Sequence, residues 1–219
     1  MQLSFQTIFL KKRFPLAISR GVNTGQDNLF LSFSQGGITG WGEMSPGRTE
    51  GADSTEAAKQ SLEKLYDTGL DGLSVQQVYD RGLETGTPLC ALAALDIALW
   101  DWLGKKAQLP LYQLFGFPRP TVPSSVTIGI NPPEVVKERV PLLMDGTGVR
   151  SLKIKLGSPE GEEADRAMFS QVVESTRDYD VQLRVDANGG WDLATAKRMS
   201  AWLADLGVDY VEQPLKEGH

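Results

Sequence analysis

The sequence predicts an α+β amino-terminal domain followed by a parallel segment of strand–helix repeats. Three observations carry that reading. Residues 1–50 alternate and turn, as antiparallel strands do. From residue 124 onward, short apolar strands alternate with helix-length segments, the rhythm of parallel strands joined by crossover helices. Between the two, "LPLYQLFGFPRP" (109–120) crowds proline and glycine and places a boundary near 118–123, giving domains 1–121 and 122–216. The parallel segment could be a doubly wound sheet or a (β/α)-barrel. No glycine-rich dinucleotide fingerprint follows its first strand, which speaks against a doubly wound nucleotide binder.

The elements follow in order. "DNLFLSFSQGGITGWGE" (27–43) sets Leu29, Leu31 and Phe33 on one face and turns at Gly36-Gly37, a hairpin with one buried face. In "SPGRTEGADSTEAAKQSLEKLYD" (45–67), Ser54 or Thr55 caps a helix with Ala, Leu and Tyr at helical spacing. "LCALAALDIALWDWLGKKAQ" (89–108) is a strongly apolar helix expected to stop near Gly104, with Asp96 and Asp101 as capping or packing partners. The repeats then run as strand "SSVTIGI" (124–130), a helix opened by proline (132–147), and strand "RSLKIKLG" (150–157). A helix with acids Glu162, Glu163 and Asp165 set to complement its dipole comes next (161–178). Strand "VQLRVDANGG" (181–190), a helix (192–207) and strand "VDYVEQP" (208–214) complete the pattern. The closing Glu217-Gly218-His219 reads either as the start of an expression tag or as native chain.

Composition excludes several classes. The net charge of −6, from 28 acidic and 22 basic residues, argues against nucleic acid or an anionic membrane as partner. One cysteine, Cys90, rules out an internal disulfide and fits a reducing compartment. The start has neither the apolar core nor the cleavage site of a signal peptide, and no run reaches transmembrane length. A soluble cytoplasmic protein is expected.

Side chains two apart on a strand share a face, so three successive strands set ionisable residues on one side near their carboxyl ends. Lys153 and Lys155 oppose Leu152, Ile154 and Leu156; Arg184, Asp186 and Asn188 oppose Leu183 and Val185; Glu212 opposes Val211. In a barrel that polar face looks into the mouth, where barrel enzymes keep their active sites. Asp186 and Glu212 are hard oxygen donors suited to Mg²⁺. A dication there would stabilise an enediolate, and a lysine among other cations could act as base. Lys155, nearer the strand end, is the candidate base, and Lys153 the electrostatic partner.

Taken together and in this order, "LKIKLG", "LRVDANGGW" and "VEQP" resemble the enolase superfamily, in its muconate-lactonizing (muconate cycloisomerase) subgroup. "GWGEMSPG" and "ALAALDIALWDWLGKKAQLPLYQLFG" resemble that family's capping domain. The resemblance implies a capping domain followed by the first half of a TIM-like modified barrel, strands one to four. It implies Lys155 as acid/base, Lys153 as its partner, Asp186 and Glu212 as Mg²⁺ ligands, and Asn188 in support. "SSVTIGINPPE", with Thr127 and Asn131, is most similar to dipeptide epimerases such as those acting on L-Ala-Glu, although Gly189 stands where those enzymes often carry Gln. "AISRGVNT" (17–24) corresponds to a mobile loop closing over substrate, which makes Ile18 and Arg20 candidate specificity residues beside Thr127.

The implied substrate is a small dipeptide or other carboxylate. Muconate cycloisomerisation and o-succinylbenzoate synthesis are the alternatives within catalysis. The family's third metal carboxylate and opposing lysine have no counterpart in this sequence. The 219 residues by themselves are therefore expected to be inactive, and to associate with a second copy or another chain through an open barrel edge.

Overall fold

In the computed structural model, which describes residues 1–47 and 51–218, the amino-terminal alternation becomes three strands. They are β1 (Gln2–Ile18), β2 (Gly21–Gln35) and β3 (Ile38–Met44), in the order β1-β2-β3. Gly36-Gly37 turns β2 into antiparallel β3 with Gln35 facing Ile38. Pro15 lies on β1, an edge strand, which is where a sheet accommodates proline. Leu29, Leu31 and Phe33 are buried in the core of this sheet, as their spacing requires.

Helix α1 (Thr55–Asp67) starts at the expected cap, where Ser54 accepts a hydrogen bond from Ala57 N at 3.2 Å. Helix α2 (Val75–Glu84) lies in a stretch that carried no sequence-based expectation. Its signal is a capping box between Ser74 and Gln77, with only Val78 and Gly82 buried along it. Helix α3 (Leu89–Ala107) runs past Gly104 to a left-handed Gln108, correcting the expected stop. Gly104 is buried within the helix because a Cβ there would lie 3.1 Å from both the Leu109 carbonyl and the Leu111 side chain. It serves close packing rather than termination. The same device seats α3 on β3: a Cβ on Gly42 would fall 1.9 Å from the Ala94 carbonyl, and one on Gly40 2.0 Å from that of Ala98. Asp101 accepts a hydrogen bond from Trp41 N at 2.8 Å and pairs with Lys105, a packing role. A single turn, α4 (Leu111–Leu114), closes this part.

The repeats yield β4 (Val126–Ile128), α5 (Pro133–Met144), β5 (Ser151–Lys155), α6 (Glu162–Thr176), β6 (Gln182–Asp186), α7 (Leu193–Asp205) and β7 (Val211–Glu212). All three strand pairs are parallel, in the order β4-β5-β6-β7. A doubly wound sheet reverses direction at a switch point; here each strand is added beside the last, as around a barrel wall. One face confirms it. Ile128, Leu152, Ile154 and Val185 are buried with Val136, Phe169 and Met199 of the helices, while the opposite face is polar.

By internal contacts the chain divides into two units, Met1–Lys11 with Gly25–Pro120, and Lys12–Thr24 with Thr121–His219. The tip of the β1–β2 hairpin thus packs with the barrel segment. No helix among the described residues is long and apolar enough to cross a membrane.

Candidate active site

Parallel register lines up the polar residues in two rows. Thr127, Lys153 and Arg184 lie abreast on β4, β5 and β6; Lys155, Asp186 and Glu212 lie abreast on β5, β6 and β7, one step nearer the strand ends. The period-two alternation that buries Leu152, Ile154 and Val185 forces these side chains to the other face. Lys155 Nζ donates to Asp186 Oδ2 at 2.6 Å. Lys153 Nζ bridges two carboxylates, Asp186 Oδ2 at 3.0 Å and Glu212 Oε2 at 2.7 Å. The Asp186 side chain is 2 % exposed and that of Glu212 46 %.

The electrostatics follow from these contacts. Burial works against the charge on Lys153, but hydrogen bonds to Glu212 and Asp186 outweigh it and raise its pKa. Burial likewise works against charge on Asp186. The two lysines and the Asn188 N–H overcome it, and hold this carboxyl below the usual carboxylate range. The four groups form one mutually compensated charge cluster, which is how ions at low exposure are tolerated.

Asn188 sits two residues past Asp186 in a left-handed conformation, φ 48°, and its N–H donates to Asp186 Oδ1 at 2.9 Å. Its own side-chain Oδ1 is buried without a hydrogen-bond partner. Thr127 is brought beside Lys153 but is exposed. The segment read as a loop over 17–24 is narrower: β1 runs to Ile18 and β2 starts at Gly21, leaving a two-residue turn, Ser19-Arg20. Ile18 and Arg20 face different cavities. Arg20 lines one of about 570 Å³ with Pro159, Asn188, Gln213 and Lys216, at the carboxyl ends of β5, β6 and β7. Ile18 lines a more apolar one of about 440 Å³ with Val22, Ile130, Pro133 and Ala164.

One residue that organises the site escaped the sequence reading. Asp165, expected to complement a helix dipole, is instead buried and accepts from Gly157 N, Ser158 N and Trp191 Nε1 at 2.8–2.9 Å. It ties the turn after β5 to the turn after β6. Gly157 permits that approach, since a Cβ there would lie 2.5 Å from the Ala187 carbonyl. The only sequence signal was an acid one turn into an amphipathic helix, which is common. Glu162 also does more than complement the dipole: it pairs with Arg166 of its own helix and with Arg198 of α7.

The donor set fits a hard dication. Asp186 Oδ2 and Glu212 Oε2 both lie within hydrogen-bonding reach of one ammonium, so they are close enough together to share a cation, and both are carboxylate oxygens. Among the described residues no group of three or more His, Cys, Asp and Glu side chains gathers. Mg²⁺ tolerates this, because it is commonly held by one or two carboxylates with substrate and waters completing its shell.

Two family descriptions match the chain: the mandelate racemase / muconate lactonizing enzyme N-terminal domain over residues 5–116, and the enolase C-terminal domain-like description over residues 136–219. A hydrophobic dipeptide epimerase of Flavobacteria bacterium (strain MS024-2A) is 62% identical over 218 residues, which are 100% of this chain and 62% of that protein. One from Roseobacter litoralis is 55% identical, over 100% of this chain and 63% of its own length. Among solved structures, the dipeptide epimerase of Enterococcus faecalis V583, complexed with Mg and L-Leu-L-Tyr, superposes with a TM-score of 0.86 at 30% identity. That match covers 98% of this chain and 61% of the other. The chain thus spans a little over three fifths of the length of these relatives.

Proposed function

The chain belongs to the mandelate racemase / muconate lactonizing enzyme family of the enolase superfamily, and on that premise we propose that the whole protein is a Mg²⁺-dependent dipeptide epimerase. The observation that carries the reading is the cluster of Lys153, Lys155, Asp186 and Glu212 at the carboxyl ends of adjacent parallel strands. A lysine base beside Mg²⁺ carboxylates is the established arrangement of enolase-superfamily sites. Asp186 and Glu212 are the residues proposed to hold the metal. Bound there, Mg²⁺ would supply positive charge against the negative charge that develops when a proton leaves carbon next to a carboxylate.

The chain's own residues have distinct tasks in this reading. Lys155 removes or returns the α-proton through Nζ, and to act as base it must give up its ion pair with Asp186. Lys153, held charged by two carboxylates, contributes fixed positive potential. Asn188 N–H fixes the rotation of the Asp186 carboxylate, leaving Oδ2 toward the lysines. Thr127, Ile18 and Arg20 are proposed substrate contacts. Hydrophobic dipeptides are the proposed substrates because the relatives at 62% and 55% identity carry that name, whereas three L-Ala-D/L-Glu epimerases match at 29% to 31%. A net charge of −6 and one cysteine support a cytoplasmic protein without nucleic-acid partners.

The test is proton exchange in D₂O with Mg²⁺ and the whole protein, offering L-Leu-L-Tyr and L-Ala-L-Glu. Exchange of one α-proton with inversion, faster for L-Leu-L-Tyr and abolished in Lys155→Ala, is the expected result. Consumption of substrate without a diastereomer, or full exchange in Lys155→Ala, would overturn the proposal.

A further inference from the structure

The two-residue turn Ser19-Arg20 is tied to the residue that orients the candidate metal carboxylate. Ser19 Oγ donates to the main-chain carbonyl of Asn188 at 3.0 Å. The N–H of the same Asn188 donates to Asp186 Oδ1 at 2.9 Å. The left-handed backbone at Asn188 lets one residue serve both directions, its N–H to the carboxylate and its carbonyl to the turn. The strand leading in is anchored separately, since Ile130 N donates to the Ala17 carbonyl at 2.9 Å. Gly129 makes room there, because a Cβ on it would lie 2.7 Å from Ala17 N. Position 17 is therefore held by the segment just after β4, and position 19 by the turn after β6.

We propose that Ser19 is a positioning residue: its hydroxyl latches the hairpin tip, and with it Arg20, over the carboxyl ends of β5 and β6. Arg20 and Ser19 both line the cavity of about 570 Å³ there, so the latch sets whether that cavity keeps its roof. A hydroxyl at a turn tip is ordinarily satisfied by water, whereas that of Ser19 is partly buried and bonded within the protein. This one selects a carbonyl 169 residues away in sequence, on the segment that also fixes Asp186. Loop seating and carboxylate orientation thereby share one residue. For its kinetic consequence, though not for the latch itself, the proposal rests on the epimerase reading above.

Arg20 supplies the readout, since trypsin cleaves after arginine and the Arg20–Gly21 bond is the tip itself. Limited trypsin digestion of the whole protein, followed by mass spectrometry, is run on the parent, Ser19→Ala and Ser19→Thr. A net hydrogen bond of ordinary strength corresponds to about 2- to 10-fold faster cleavage at Arg20 in Ser19→Ala, with cleavage elsewhere unchanged and Ser19→Thr restored to the parent rate. Equal rates at Arg20 in parent and Ser19→Ala would overturn the latch, whatever the activity. With a dipeptide substrate, Ser19→Ala is expected to raise KM by about the same factor while kcat stays within about twofold. A fall in kcat alone would overturn the positioning role. A parent that turns over no dipeptide would sink the epimerase reading and leave the proteolysis to judge the latch.

Discussion

Asp165 carries a structural load out of proportion to its visibility in the sequence. Its carboxylate holds three N–H groups from two different turns, one of them the indole of Trp191, 26 residues away. Replacing Trp191 by Phe keeps the ring and removes that donor. The expected loss is about 1–3 kcal/mol of unfolding free energy by urea titration, with little change in the slope, because a buried acceptor loses a partner. Full stability in Trp191→Phe would show that the bond contributes nothing. The contrast with the lysines explains what a sequence can reveal at this scale. Lys153, Lys155, Asp186 and Glu212 were legible because strand alternation places them on one face by local geometry. Asp165 was not, because its partners are set by how two turns meet, and no short-range pattern encodes that. Ser19 was hidden for the same reason, its acceptor being a backbone carbonyl that no residue type announces.

Helices were legible where caps and periodicity agreed and obscure where glycine had two meanings. Gly104 reads as a stop by propensity, yet it lies inside α3 because the chain beyond needs to pass close by. Gly42 has the same function on β3, and it supplies a test of element packing. Gly42→Ala puts a methyl group against the α3 backbone, which cannot rotate away as a side chain can. The expected cost is about 1–3 kcal/mol or more, visible as a lowered thermal midpoint; an unchanged midpoint would mean α3 is not seated as described. A second test concerns α6 and α7. Hydrogen bonds from Arg198 and then Arg166 lower the pKa of Glu162 below the usual carboxylate range. A depressed acid stabilises the folded state above its unfolded pKa and loses that contribution as pH falls through its folded one. Glu162→Gln should therefore be less stable than the parent at about pH 7, and the gap should close below about pH 4 and narrow in high salt. A gap that widens on acidification would contradict the sign.

At the scale of the molecule, two apolar cores were foreseeable from the change of rhythm near residue 120, and the sequential strand order decided between the two parallel architectures. The grouping of residues 12–24 with the barrel segment was legible only through the resemblance of residues 17–24 to a loop closing over substrate, because the alternation of the hairpin tip continues unbroken from the strands around it. The charge cluster also has a consequence for the whole fold. The lysines compensate the charges of Asp186 and Glu212, so the site folds as a balanced set. Binding of a dication to the folded state alone adds stability by mass action, about 2.7 kcal/mol at a hundred times its dissociation constant. The whole protein should therefore melt higher as Mg²⁺ is raised, and return to its starting midpoint on chelation. Asp186→Asn changes the base stability by itself, because it unbalances the lysines, so the informative quantity is the Mg²⁺-dependent increment rather than the midpoint. That increment should largely vanish in Asp186→Asn and persist in Thr127→Ala, whose side chain is exposed and holds no metal in this reading. An increment equal in parent and Asp186→Asn would place the cation elsewhere, and with it the electrostatics on which Lys155 depends.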